Sequence, residues 1–225
     1  MNEYKMNAKI TGVLFITATV AGILSAIFLG PVLDATDFLS EISANESQIL
    51  IAAFFELIMA ISVASIAISM YPVLKKFNLG MALGSVCFRV MEGVLFMVGV
   101  LCLLLLTILS KEYVDAGAPI NSYFQILGEI LAADHVWTIG GIAFCIGALL
   151  YYTLFYQTKL VPRWLSIFGL LAILLALTSY LVQFFSFNVE FIEILHLPTL
   201  VQEMVFAVWL IIKGYDPSVI NSESE

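Results

Sequence analysis

The sequence predicts an all-α polytopic integral membrane protein, a six-helix transmembrane bundle with both termini in the cytoplasm. Of 225 residues, 62% are hydrophobic and 12% charged, and the mean hydropathy is +1.05. Soluble domains carry about 45–50% apolar and about 25% charged residues. Apolar runs of about 20 residues, enough to cross a bilayer, recur along the chain. In addition, most of the basic residues fall on one side of a six-span arrangement. The composition therefore excludes a sizeable soluble domain.

Turn and breaker residues divide the chain into its spans. Gly30-Pro31, Tyr71-Pro72 and Pro162 each follow an apolar run. Pro198 suits the first turn of the sixth helix, where its missing N–H is no loss. The pattern over residues 123–133 predicts a short amphipathic helix that either lies at the outer interface or continues into the membrane as part of the next helix. We expect one domain over residues 1–214 and a disordered cytoplasmic tail over 215–225. The predicted spans are about 10–30, 49–70, 81–109, 135–157, 164–186 and 197–213.

The orientation follows from the positions of the basic residues. In a six-span arrangement one side carries Lys111 as its only basic residue, and the loops on that same side hold mainly acidic residues. Cytoplasmic loops of membrane proteins carry an excess of Lys and Arg, so the basic side, which includes both termini, is predicted to face the cytoplasm. Seven basic residues lie on that side: Lys5, Lys9, Lys75, Lys76, Lys159, Arg163 and Lys213.

Ionisable residues inside the spans are the main functional signal. A charge at the centre of a transmembrane helix costs about 2.5–3.5 kcal/mol, so these side chains should face one another inside the bundle. Small residues one turn away would permit close helix approach. One guanidinium cannot neutralise three carboxylates, so the surplus must hold a proton, bind a cation or contact water. The predicted intramembrane polar network is Glu56, Arg89, Glu92 and Glu203.

Three readings of this network remain open. It could couple proton or cation binding to a conformational change or to transport of a small solute. Alternatively, Arg89 and Glu92 could pair within one helix while Glu56 and Glu203 donate interhelical hydrogen bonds. The protein would then be a non-catalytic structural or regulatory membrane protein acting with a partner. The third reading is an intramembrane metal or haem protein that uses two histidines.

The histidines belong to a polar group at the outer ends of the spans, formed by Asp134, His135 and His196. A zinc site would need Asp134 or Glu203 as a third ligand. No HExxH or CxxCH spacing occurs, so we predict no metal site and no cofactor. No GxSxG motif occurs either, and no catalytic residue is assigned, which favours a protein that is not an enzyme.

The predicted partner is the lipid bilayer, while a homo-oligomer or another membrane partner is left open. Nucleic-acid binding is not expected, because the cytoplasmic loops hold only pairs of basic residues. Several aromatic residues near span ends are predicted to anchor the protein at headgroup level. These are Trp137, Trp164, Tyr151, Tyr152 and Tyr156.

Four stretches together resemble a known family. They are FRVMEG at residues 88–93, HVWTIGGIAF from His135, LVPRWLSIFGLLA from Leu160 and EMVFAVWLIIKGY from Glu203. Their order and spacing resemble small bacterial integral membrane proteins grouped as a domain of unknown function, type 4386. The resemblance implies a multi-span protein of the bacterial cell membrane. It supplies no activity, cofactor or catalytic residue.

Overall fold

The computed structural model describes residues 3–119, 123–133, 135–187 and 189–222. These residues form nine α-helices and a short 3₁₀ helix at Ile192–His196, with no strand among them. Six helical segments are long and apolar enough to cross a membrane, which confirms the predicted all-α class and the number of spans. The helices are α1 Glu3–Leu33, α2 Phe38–Ala44, α3 Glu46–Leu74, α4 Leu79–Asp115, α5 Tyr123–Ala132, α6 His135–Thr158, α7 Arg163–Phe184, α8 Leu197–Ile212 and α9 Pro217–Ser222.

Local sequence signals explain several helix ends. The Asn78 side chain accepts a hydrogen bond from the Met81 N–H and so caps the start of α4. Pro198 lies in the first turn of α8, as predicted. The predicted amphipathic helix is present as α5. Helices α1, α3 and α4 extend beyond the predicted spans, most of all α4 with 37 residues, because polar residues at helix ends continue the helix past its apolar part, whereas α7 and α8 end one or two residues before the predicted limits.

Glycines set how closely the central helices pack. A Cβ on Gly93 of α4 would lie 2.7 Å from the Ala60 carbonyl oxygen of α3, so the two backbones meet there. A Cβ on Gly12 of α1 would lie 2.6 Å from the Ala207 carbonyl oxygen of α8. Such small residues allow the backbone contacts on which membrane helices depend. Helix α1 therefore packs against both α3 and α8, and α4 packs between α3 and α6.

The two ends of the bundle differ in charge. The end that contains the start of α1, the α3–α4 and α6–α7 turns and the end of α8 is called the basic end, because it carries the seven basic residues named above. The opposite end is called the acidic end. There Lys111 pairs with Glu46 at 2.6 Å, close to the acidic loops around α2. The segregation expected from the sequence is therefore present in the fold.

The predicted disordered tail needs correction for residues 215–222. Helix α9 forms there, Tyr215 and Ile220 are buried, and the Asp216 N–H donates to the Leu160 carbonyl at 2.9 Å. The Tyr215 ring stacks on Phe155 with centroids 6.0 Å apart. The side chains of Tyr215 and Ile220 bury enough apolar surface to hold this segment in place, although its sequence is polar on average. Residues 223–225 lie outside the described residues.

The predicted aromatic anchors also need partial correction. Trp164 and Tyr156 are exposed, as an interfacial position requires. Tyr151 and Tyr152, however, are completely buried, and Trp137 packs inward on Phe96 with ring centroids 4.8 Å apart. These three residues lie as close to the span ends as interfacial residues do. The rotation of α6 about its axis, however, points their side chains toward the interior of the bundle.

Candidate ligand cavity

A cavity of about 430 Å³ lies between α1, α3, α4, α6 and α8, in the half of the bundle nearer the acidic end. Helices α1 and α8 pack tightly at Gly12 near the basic end, and the cavity separates them further along. Its rim includes Ile23, Leu197 and Leu200, which are exposed on the apolar outer surface. The cavity therefore opens sideways, toward the position of the lipid chains.

Arg89 and Glu92 form an ion pair in the inner wall of this cavity. The Arg89 Nη1 atom lies 2.9 Å from Glu92 Oε2, and the residues are 1% and 3% exposed. Neither atom is aligned for a hydrogen bond, so the contact is electrostatic. The guanidinium carbon lies 4.8 Å from the centre of the Phe144 ring. Gly147 leaves room for the Arg89 stem, since a Cβ there would lie 3.1 Å from Arg89 Cγ.

Glu203 also lines the cavity, but without a direct partner. It is half-buried, and among the described residues it has no hydrogen bond and no cation within 4.0 Å. Its charge interacts at longer range with Arg89. The neighbouring Gln202 faces the other way, where it accepts a hydrogen bond from the Tyr152 hydroxyl and donates to the Leu165 carbonyl. Of these two successive residues of α8, Gln202 therefore contributes to helix packing and Glu203 lines the cavity.

The expectation of one network of four charged residues needs correction for Glu56. Its Oε1 atom accepts a hydrogen bond from the Ser25 hydroxyl at 3.1 Å, and it borders a separate cavity of about 50 Å³. The Gly93–Ala60 contact explains the separation. In the antiparallel pair, Glu56 lies four residues to one side of that contact and Arg89 four residues to the other, about 12 Å apart along the axis.

The histidines are not brought together in one site. His196 lines the cavity with its ring against Tyr180, the centroids being 4.5 Å apart. His135 is exposed at the first residue of α6 and does not line the cavity. Asp134 lies outside the described residues. Within the described part of the chain, no three His, Cys, Asp or Glu residues are grouped so that they could hold a metal ion.

Aromatic side chains form much of the cavity wall, although no sequence pattern predicted them there. Phe96, Trp137, Phe144 and Tyr180 come from three different helices. The Tyr180 ring lies directly on Gly141, where any side chain would displace it. Thr199 and Glu203, four residues apart on α8, also line the cavity. Aromatic rings from separate helices cannot be assigned to one wall before the helices are docked.

Comparison with known proteins gives the family. No curated protein and no solved structure matches the chain. The model of DUF4386, a domain of unknown function, matches residues 10–214, which include most of α1, the other five spanning helices and every cavity residue named above. This six-span protein therefore belongs to the DUF4386 family.

Proposed function

We propose that this membrane protein binds a small amphipathic cation at Glu203, in exchange for a proton. The proposal depends on Glu203, a carboxylate without a direct partner among the described residues, in a cavity where the Arg89 guanidinium is already paired. The cavity walls hold one positive charge and two carboxylates among the described residues. A surplus carboxylate away from water needs a counter-charge, so it takes up either a proton or a cation.

The lateral opening supports a solute that arrives from the bilayer. Ile23, Leu197 and Leu200 on the rim would favour an apolar body over a hydrated ion. Inside, Trp137 and Tyr180 line the cavity with aromatic rings, and a cation near the face of such a ring gains about 0.5–2 kcal/mol. An apolar molecule with one positive group matches both the rim and the interior.

Competition between the two occupants would couple binding to pH. At low pH a proton on Glu203 removes the charge that attracts the cation, so affinity falls. At higher pH the carboxylate is free and affinity rises. Alternating proton and solute occupancy at an intramembrane carboxylate is a common basis of transport. We propose that this exchange is linked to movement of the solute across the membrane.

The location and orientation are part of the same proposal. The seven residues of the basic end support a cytoplasmic position for that end and hence for both termini. The bacterial cell membrane is the proposed location, in which the cavity would open in the outer half of the bilayer. Cysteine labelling from outside intact cells tests this, with a labelled acidic end and an unlabelled basic end as the expected result.

Binding of tetraphenylphosphonium, an apolar monovalent cation, tests the function. Equilibrium dialysis of the purified protein in detergent should give saturable binding that weakens as the pH is lowered. Glu203→Gln should lose about tenfold or more in affinity, together with the pH dependence. Glu56→Gln is the matched control, since it makes the same change outside the cavity and should bind as the wild type does. Equal binding by the wild type and Glu203→Gln would refute the proposal.

A second candidate is a non-catalytic structural or regulatory protein that acts with a membrane partner or a second copy. The observation that favours it is the Arg89–Glu92 pair, which closes within one helix and needs no ligand. Under this reading Glu203→Gln changes neither cation binding nor pH dependence, and a partner copurifies with both proteins. The dialysis experiment therefore separates the two candidates.

A further inference from the structure

A second, larger cavity lies at the basic end and is independent of the one that contains Glu203. Its volume is about 550 Å³, and it is bounded by the end of α6, the start of α7, the end of α8 and the segment before α9. Three basic residues line it: Lys159, Arg163 and Lys213. Trp209, Tyr215 and Asp216 also line this cavity.

Backbone turns bring the three cations to one place. Lys159 has φ +62° and ends α6, a left-handed conformation that a non-glycine residue adopts at some cost. Gly214 has φ +75° and turns the chain back after α8. The Asp216 N–H then donates to the Leu160 carbonyl at 2.9 Å, which fixes the returning segment beside the α6–α7 turn. The cavity is therefore held by the fold and not by one loose loop.

The charge around this cavity is strongly positive. None of the three cations has a carboxylate within 4.0 Å among the described residues. The one acid in the wall, Asp216, accepts hydrogen bonds from the Ser218 hydroxyl at 2.7 Å and N–H at 2.9 Å, which hold the pKa of its carboxyl below the ordinary value. Asp216 stays ionised, and the cavity still carries a net charge of about +2.

Aromatic residues set the depth of the cavity in the membrane. The Trp164 and Trp209 rings meet edge to face with centroids 6.3 Å apart, and Trp164 is 54% exposed. The Arg163 guanidinium lies over the Tyr156 ring at 5.2 Å. Tryptophan and tyrosine concentrate where lipid headgroups meet the acyl chains. The three cations therefore lie at the level of lipid phosphates.

We infer that this cavity binds the phosphate headgroup of an anionic phospholipid. Basic pockets between transmembrane helices on the cytoplasmic side are suited to such headgroups. Arg163 supplies the planar donor set that binds phosphate oxygens in pairs, and the two lysines supply point charges. The adjoining tryptophans supply apolar surface for the upper acyl chain, which free phosphate would not use.

Lipid selectivity measured by native mass spectrometry tests this inference. Delipidated full-length protein is mixed with micelles that contain equal amounts of phosphatidylglycerol and phosphatidylcholine, and retained lipids are counted. The wild type should retain phosphatidylglycerol preferentially. The double variant R163Q/K213Q should lose this preference by about tenfold or more. K75Q/K76Q removes two charges from the same end outside the cavity and should keep it. Thermal unfolding of each variant verifies its fold.

Three outcomes would overturn the inference. Equal loss in both double variants would show diffuse attraction to the whole basic end. Unchanged preference in R163Q/K213Q would show that the cavity binds no headgroup. Release of phosphatidylglycerol by millimolar inorganic phosphate would show a site for free phosphate instead. Glu203→Gln should retain phosphatidylglycerol as the wild type does, which keeps this test separate from the proposed cation binding.

Discussion

Glu56 and Glu203 are both carboxylates within transmembrane helices, yet they differ in their hydrogen bonds and in the size of the space that they border. Glu56 is 6% exposed, accepts a hydrogen bond from Ser25 and borders a space of about 50 Å³. Glu203 has no direct partner among the described residues and borders a space of about 430 Å³ that opens to the bilayer. The comparison teaches that depth in the membrane alone does not identify a binding residue. A binding residue is identified by a carboxylate that lacks a direct partner and by enough space beside it for a ligand.

Loss of Arg89 should have a greater effect than any other change considered. Arg89→Met would leave Glu92 and Glu203 in the cavity wall without the guanidinium, and removing one member of a buried ion pair costs about 3–5 kcal/mol. We expect a large fall in unfolding temperature in detergent at neutral pH. The double variant Arg89→Met/Glu92→Met, which removes the pair together, should recover much of that loss. If both variants unfold alike, the Arg89–Glu92 pair does not stabilise this wall.

Substitution of glycine by alanine should distinguish the small cavity that Glu56 borders from the larger cavity that Glu203 lines. At Gly99, beside Glu56, a Cβ would lie 2.8 Å from Trp137 Cζ2, within a rigid ring. Overpacking costs about 1–3 kcal/mol. The gain in helix propensity returns up to about 1 kcal/mol. We expect Gly99→Ala to lower the free energy of unfolding by about 1 kcal/mol.

Gly22→Ala is the matched change at the open cavity. Its Cβ would meet only the flexible end of Met59, at 2.8 Å from Sδ. We therefore expect unchanged stability or a small gain in a denaturant titration. A larger loss at Gly22 than at Gly99 would contradict the assignment of the Glu203 cavity as the adaptable one.

The hydrogen bond at Glu56 should have a moderate effect. Ser25→Ala removes the donor and leaves a buried carboxyl oxygen unpaired, at a cost of about 1–3 kcal/mol. Thermal unfolding should detect this loss, while binding of tetraphenylphosphonium stays at the wild-type level. Weaker cation binding in Ser25→Ala would mean that the two carboxylate sites communicate.

The smallest expected effect is that of Glu56→Gln. The amide oxygen can still accept the Ser25 hydrogen bond, so stability should change by less than about 1 kcal/mol. The difference in unfolding temperature between Glu56→Gln and the wild type should vary less with pH than the difference between Glu203→Gln and the wild type. A strong pH effect at residue 56 would move the proton-binding role from Glu203 to Glu56.

Local pattern accounts for the parts of this fold that were predicted correctly. The six apolar runs, the amphipathic α5 and the position of Pro198 each depend on residues a few positions apart. The errors lie where distant segments meet. Tyr151 and Tyr152 turned inward, Glu56 lay apart from Arg89, and Tyr215 folded back onto Phe155. No local pattern encodes the rotation of α6 or the contact partner of a C-terminal tyrosine.

Composition and local order are enough to establish a six-span helical protein with opposite charge at its two ends, because hydrophobicity and charge act over short stretches of the chain. They also place four ionisable residues within the spans. Only the tertiary structure decided that Glu92 and Glu203 share a cavity with Arg89 while Glu56 does not. The physical reason is axial register: backbone contacts at glycines, such as Gly93 against Ala60, fix which level of one helix faces which level of the next.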